Sequence, residues 1–71
     1  MRVHTARELG ALVRERREKL NLTQLEAAER ASVTREWLGR FENGKSTVPL
    51  TRVLDVLSVL GLRVDVAVVD D

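Results

Sequence analysis

The chain has 71 residues, 12 Lys or Arg against 11 Asp or Glu, and no cysteine. This length predicts one small domain of marginal stability, and the absence of cysteine excludes disulfides and thiolate metal sites as its support. Oligomerisation remains as the common stabilising device. His4 is the only histidine, so we expect no metal site. We expect no cofactor either. The polar start is unlike a signal peptide and no apolar run could cross a membrane, so we expect a cytoplasmic protein.

Charge is divided unevenly along the chain. Residues 1–45 contain ten Lys or Arg and seven acidic residues, a charge of +3, whereas residues 46–71 contain two Arg and four Asp, a charge of −2. A basic front and an acidic back suit a polyanionic partner that approaches from one side.

Helix 1 is predicted to start at Thr5, because Thr5 and Glu8 have the spacing of a capping box. Apolar residues then recur at helical spacing as far as Leu20, and charged residues fill much of the opposite side. Asn21 can end the helix. We interpret most of the charged surface as a solvated helix face.

Two short helices follow. Thr23 and Glu26 form a second capping box that predicts helix 2 over about residues 24–31, and Thr34 can cap helix 3 over about residues 35–43. Gly44 supplies the left-handed conformation that ends helix 3. The spacing predicts a helix-turn-helix unit over residues 23–44, within a single domain that spans residues 1–71.

Helix 4 is predicted to have Pro49 in its first turn and to end at Gly61. The apolar face of helix 4 that is expected to pack in the core comprises Leu50, Val53, Leu54, Leu57 and Leu60. Val56 and Val59 extend this apolar face beyond what one core contact requires. Apolar and polar residues then alternate over about residues 62–69, which predicts a β-strand.

A lone strand in a helical domain has no ladder partner. We therefore expect the strand to pair with the same strand of a second copy, giving a homodimer with a self-complementary interface. The alternative is a C-terminal segment folded back on its own domain. The residues predicted to dimerise are Val56, Val59, Leu62, Val64, Val66 and Val68.

The residues that carry a family resemblance are the Thr-Gln pair at 23 and 24, the run WLGRFENGKSTVPL at 37–50 and the ending LGLRVDV at 60–66. With these, residues 5–69 resemble the Xre or lambda-repressor type of helix-turn-helix protein, and most closely the HipB-like antitoxins. The resemblance implies a mainly α fold of four to five helices with one C-terminal strand that pairs across a homodimer. Ser32 stands where the family often has glycine, and Ala27 replaces a usual leucine, so either helix 2 packs slightly rotated or Leu25 is exposed.

The resemblance implies double-stranded DNA as a partner, with helix 3 in the major groove. The expected base contacts are Arg35, Glu36, Gly39 and Arg40. The expected phosphate contacts are Thr23, Gln24, Lys45, Ser46 and Thr47. The resemblance also implies a structural ion pair between Arg17 and Glu42, and we interpret Trp37 as a half-buried packing residue.

We therefore expect a dimeric repressor of an inverted-repeat operator, the antitoxin of an operon that it autoregulates, with a HipA-like kinase toxin as a possible second partner. One alternative is a phage-type repressor or restriction controller without a toxin. Another is a toxin-neutralising interaction module with little DNA specificity. No Ser-His-acid or paired-carboxylate arrangement is present in the sequence, so we do not expect an enzyme.

Overall fold

The computed structural model describes residues 2–45 and 47–70. In that part of the chain four helices follow one another: α1 (Ala6–Lys19), α2 (Gln24–Ala31), α3 (Arg35–Glu42) and α4 (Leu50–Val59). Helix α1 packs on α3, and α2 packs on both α3 and α4. The mainly α prediction is confirmed, and the buried core comprises Val13, Leu22, Ala27, Ala28, Ala31, Trp37, Leu38, Phe41, Val53, Val56, Leu57 and Leu60.

Hydroxyl groups cap the starts of helices α1 and α3. The Thr5 hydroxyl accepts a hydrogen bond from the Glu8 backbone N–H (3.0 Å), and the Thr34 hydroxyl accepts one from the Trp37 N–H (3.0 Å). The return bond at α1 reaches one residue further back than the predicted box, because the Glu8 carboxylate accepts from the His4 N–H (3.0 Å). These contacts satisfy N–H groups that the helices leave unpaired.

All four helices are followed, within two residues, by a residue in the left-handed conformation. Those residues are Asn21, Ser32, Gly44 and Gly61, with φ between 57° and 71°. In every case the next residue donates its N–H to a carbonyl five positions earlier, as Lys45 does to Arg40 (2.9 Å), which is the Schellman arrangement. Ser32 therefore takes the conformation that glycine usually supplies, despite its Cβ.

Helix α4 buries a different stripe from the one predicted. Val56 is 1% exposed and belongs to the core, whereas Leu50 and Leu54 are 69% and 44% exposed. Apolar residues flank both sides of Val53 and Leu57, so the sequence pattern could not decide which flank faces inward. Helix α4 packs against α2, and its buried residues are Val53, Val56 and Leu57. Val56 is consequently not available for a dimer interface, which corrects that prediction.

The strand predicted over residues 62–69 is not formed in the single chain, and no strand occurs in the described residues. The physical reason is the absence of a ladder partner within one copy, since a strand needs a neighbour for its N–H and C=O groups. The segment does not fold back into the core either, because Val66 and Val68 are 92% and 90% exposed. Among the described residues, no helix has the length and apolar character needed to cross a bilayer.

Helix α1 crosses α3 at Gly10. A Cβ at this position would overlap the carbonyl oxygen of Phe41 and lie 3.0 Å from that of Glu42. We expect Gly10→Ala to lower the free energy of unfolding by about 1–3 kcal/mol, because backbone atoms cannot yield without moving α1 away from α3. Urea denaturation measures this change.

Gly39→Ala is the matched control, since both glycines lie within helices. A Cβ at Gly39 meets only the Gln24 carboxamide, at an ordinary 3.7 Å. Alanine is the better helix former by about 1 kcal/mol, so this variant should be as stable as the parent or more so. Equal stability of both variants would contradict the close crossing at Gly10.

Candidate nucleic-acid interface

The outer face of α3 and the start of α2 line an open groove of about 440 Å³. Its lining residues are Gln24, Arg35, Glu36, Gly39, Arg40, Asn43 and Lys45. All four predicted base-contact positions thus lie together, beside two of the predicted phosphate contacts. Arginine, amide and ammonium groups predominate, which are the donors that proteins direct at nucleic acids.

The division of α3 into two faces creates this groove. One face of α3 is buried and comprises Trp37, Leu38, Phe41 and Glu42. The other residues of α3 lie on its outward face. The groove residues of α3 follow one another at helical spacing, so they form one polar face. Arg35, Glu36 and Arg40 are exposed, and Gly39 is partly buried between them.

Gln24 connects α2 to the end of α3. Its Nε2 donates a hydrogen bond to Oε1 of Glu42 (3.1 Å), and its carboxamide lies next to Gly39. One amide N–H of Gln24 and its carbonyl oxygen remain for a ligand. The side chain is therefore held at the edge of the groove rather than free to rotate.

The start of α2 is fixed by the capping box that the sequence predicts. The Thr23 hydroxyl accepts from the Glu26 N–H (3.1 Å), and the Glu26 carboxylate accepts from the Thr23 N–H (2.9 Å). The bond from the Thr23 backbone lowers the pKa of Glu26, because it stabilises the charged carboxylate. Thr23 is exposed but does not line the groove.

A buried ion pair supports the groove from behind. Arg17 donates from Nε to Oε2 of Glu42 (2.7 Å) and from Nη2 to Oε1 (3.0 Å), and its Nη1 donates to the Leu22 carbonyl (2.8 Å). The two side chains are 10% and 1% exposed. The hydrogen bond to Glu42 raises the pKa of the Arg17 guanidinium, against the lowering by burial. The Glu42 carboxylate therefore ties α1, α2 and α3 together, as expected for this pair.

Trp37 is a core residue and is more buried than the sequence indicates. It is 5% exposed, and its ring centroid lies 5.2 Å from that of Phe41. Its indole N–H is buried and has no hydrogen-bond acceptor in the described part of the chain. Trp37 thus holds α3 in place and is not part of the groove surface.

The remaining predicted phosphate contacts follow α3. Lys45 is exposed and lines the groove, while Thr47 is exposed outside it. Ser46 lies outside the described residues. Asn43 also lines the groove, and its Nδ2 donates to the Gly39 carbonyl (3.0 Å). Its spacing of four residues from Gly39 is the sequence signal that places it on the same face.

A second groove, of about 920 Å³, lies at the C-terminal segment. It is lined by Leu9, Leu12, Leu57, Leu62, Val64, Ala67, Val68, Val69 and polar residues, together with residues 2–4. Three predicted dimer residues therefore share one apolar groove: Leu62, Val64 and Val68. Val59 is partly buried against the core, and Val66 is not among the residues that line the groove.

Residues 8–69 match the family described as the helix-turn-helix domain. The chain is also similar to an uncharacterized HTH-type transcriptional regulator, y4mF, of Sinorhizobium fredii (strain NBRC 101917 / NGR234). The two are 40% identical over 65 residues, which cover 92% of this chain and 86% of the relative. The matched range contains the buried ion pair and the whole groove-forming unit. The chain therefore belongs to the helix-turn-helix family of DNA-binding transcriptional regulators.

Proposed function

We propose that the protein is a sequence-specific transcriptional repressor that binds an inverted-repeat operator as a homodimer. The observation that supports this most is the polar face of α3, whose outward residues meet Gln24 and Lys45 in one groove. A titration of the chain with the DNA upstream of its own gene, beside a random-sequence duplex, tests it. Selective binding at two protomers per site is expected, whereas equal binding to both duplexes would contradict it.

Base reading in this proposal belongs to α3. The major groove of DNA admits a helix and shows a distinct donor and acceptor pattern for each base pair. Arg35 and Arg40 are exposed guanidinium groups that can each bond O6 and N7 of guanine, and the Glu36 carboxylate can accept from the cytosine amino group. The absence of a side chain at Gly39 lets the DNA approach the backbone closely.

Phosphate binding belongs to the two ends of this unit. Gln24 lies in the first turn of α2, where helix N–H groups favour anions. Lys45 lies just past α3, and we place Thr23, Ser46 and Thr47 in the same role. Contacts of this kind orient the protein on DNA without reading its sequence.

Lys45→Ala should weaken binding to every duplex by a similar factor, because the lost contact is to a phosphate. The slope of log K against log salt should become shallower by about 0.9. Fluorescence anisotropy over a salt series measures both effects. Lys19→Ala is the control, since Lys19 is ion-paired with Glu15 (3.1 Å) and does not line the groove. A loss confined to one base position would assign Lys45 to base reading instead.

Dimerisation is proposed through the C-terminal segment. Val64, Val66, Val68 and Val69 are 54% to 92% exposed, and all of them except Val66 line the second, largely apolar groove. A contiguous exposed apolar surface on a small domain marks an interaction site. Pairing of residues 62–69 with the same residues of a second copy would satisfy their backbone and cover these valines.

Ending the chain after Arg63 should therefore give a monomer by light scattering. This variant retains Leu62, whose N–H donates to the Leu57 carbonyl (2.8 Å), so the end of α4 remains capped. Circular dichroism should show an unchanged helix content. A truncated chain that remains dimeric would contradict interface formation by this segment.

We further propose that the repressor is the antitoxin of an operon that it autoregulates, with a HipA-like kinase as the toxin. The support is the LGLRVDV ending at residues 60–66, which resembles that of HipB-like antitoxins. Copurification of the chain with the product of a neighbouring kinase-like gene tests this. Absence of such a gene would leave a repressor of the phage type.

A DNA partner and the lack of cysteine both suit a reducing cytoplasm.

A further inference from the structure

We propose that Arg7, in the first turn of α1, is an additional phosphate-binding residue that acts beside Lys45. Neither the helix-turn-helix motif nor the groove lining assigns this residue a role. The inference rests on the proposed DNA-binding function, because it assumes that the groove faces a duplex.

Packing brings Arg7 to the end of α3. A Cβ at Gly44 would lie 2.8 Å from Cα, 3.0 Å from Cβ and 3.2 Å from Cγ of Arg7. The first turn of α1 thus lies directly against the residue that ends α3. Lys45 follows Gly44 and lines the groove. The Arg7 side chain therefore leaves α1 alongside the segment that carries the Lys45 ammonium group.

Arg7 also differs from the other arginines of its helix. Each of those has a partner: Arg14 pairs with Glu18 (3.6 Å), Arg16 donates to the Leu60 carbonyl (2.9 Å) and Arg17 pairs with Glu42 (2.7 Å). Arg7 is exposed, and among residues 2–45 and 47–70 its guanidinium makes no ion pair or hydrogen bond. Its charge is consequently available to a ligand.

The partner that fits two cations carried by adjacent segments is the DNA backbone. Successive phosphates of one strand are spaced by about 3.4 Å along the axis. Two cations on neighbouring elements can therefore meet neighbouring phosphates of the strand that passes the end of α3. The planar guanidinium forms charge-assisted, bidentate bonds with phosphate oxygens. Arg7 would add a contact from outside the helix-turn-helix unit and fix the angle at which α3 enters the major groove of the DNA.

The test is the salt dependence of binding to a random-sequence duplex, measured for the parent chain and for Arg7→Ala, Arg7→Lys and Arg30→Ala. Arg7→Ala should bind roughly five- to tenfold more weakly near 0.1 M salt, with a slope shallower by about 0.9, because one phosphate is no longer neutralised. Arg7→Lys should recover most of the loss. Arg30→Ala removes the same charge from an exposed position in the last turn of α2, at the opposite end of that helix from Gln24, and it should bind like the parent.

Equal affinity and slope for Arg7→Ala and the parent would overturn the role of Arg7 and leave the proposed function intact. An equal loss in Arg30→Ala would also overturn it, since only net charge would then matter. A parent chain that does not bind duplex at all would overturn the proposed function, and the inference with it. Circular dichroism is used to check that the variants are folded, and alanine is a favourable residue in a helix.

Discussion

Glu42→Ala is expected to lower the free energy of unfolding by about 3–5 kcal/mol. The substitution leaves the Arg17 guanidinium buried without its counter-charge, and removal of one partner of a buried pair is strongly destabilising. A domain of this size has a total stability of roughly 4–10 kcal/mol, so much of it would be lost. Urea denaturation, followed by circular dichroism, measures the change.

The double variant Arg17→Met with Glu42→Leu distinguishes the contribution of the ion pair to stability from the role of Glu42 in holding the Gln24 amide. Apolar replacement of both partners of a buried pair is often neutral or stabilising, so this variant should recover most of the stability. It should not recover DNA binding, because Gln24 loses the carboxylate that holds its amide. An unchanged urea midpoint for Glu42→Ala alone would contradict the role given to the pair.

Arg40→Ala should weaken binding to the best operator by about 1–3 kcal/mol and relax the preference at one base position. Arg40 is exposed on the groove-lining face of α3, where a guanidinium can bond two acceptors of guanine together. Competition binding with operators mutated at single positions measures both effects.

Arg40→Lys is the matched control for charge. Lysine keeps the positive charge but lacks the planar fork, so the salt slope should remain while the base preference declines. If Arg40→Ala instead weakened every duplex equally, Arg40 would be a phosphate contact.

Local sequence signals predicted the helices well. The hydroxyl caps at Thr5, Thr23 and Thr34 and the stops at Asn21 and Gly44 act within a few residues, so they can be read without tertiary information. The resemblance to helix-turn-helix proteins indicated the groove residues on α3, and helical spacing places them on one face. The exposure of Leu25 (52%) and burial of Ala27 (1%) show that α2 keeps its small residues inward.

Predictions that depended on distant contacts were less successful. Alternation over residues 62–69 indicates which side chains share a face, but a strand also needs a partner that one copy lacks. The burial of Val56 depends on how α4 packs in the folded chain, and the position of Arg7 depends on the packing of the first turn of α1 against Gly44. No local pattern contains this information.

Selection of duplexes from a random-sequence pool by the whole chain tests the central claim most directly. Sequence-specific binding through α3 predicts enrichment of an inverted repeat whose half-sites are one helical turn, about 34 Å, apart. In a parallel selection, Arg40→Ala should lose one preferred position in each half-site. A pool that remains random while salt-dependent binding persists would contradict sequence reading by α3.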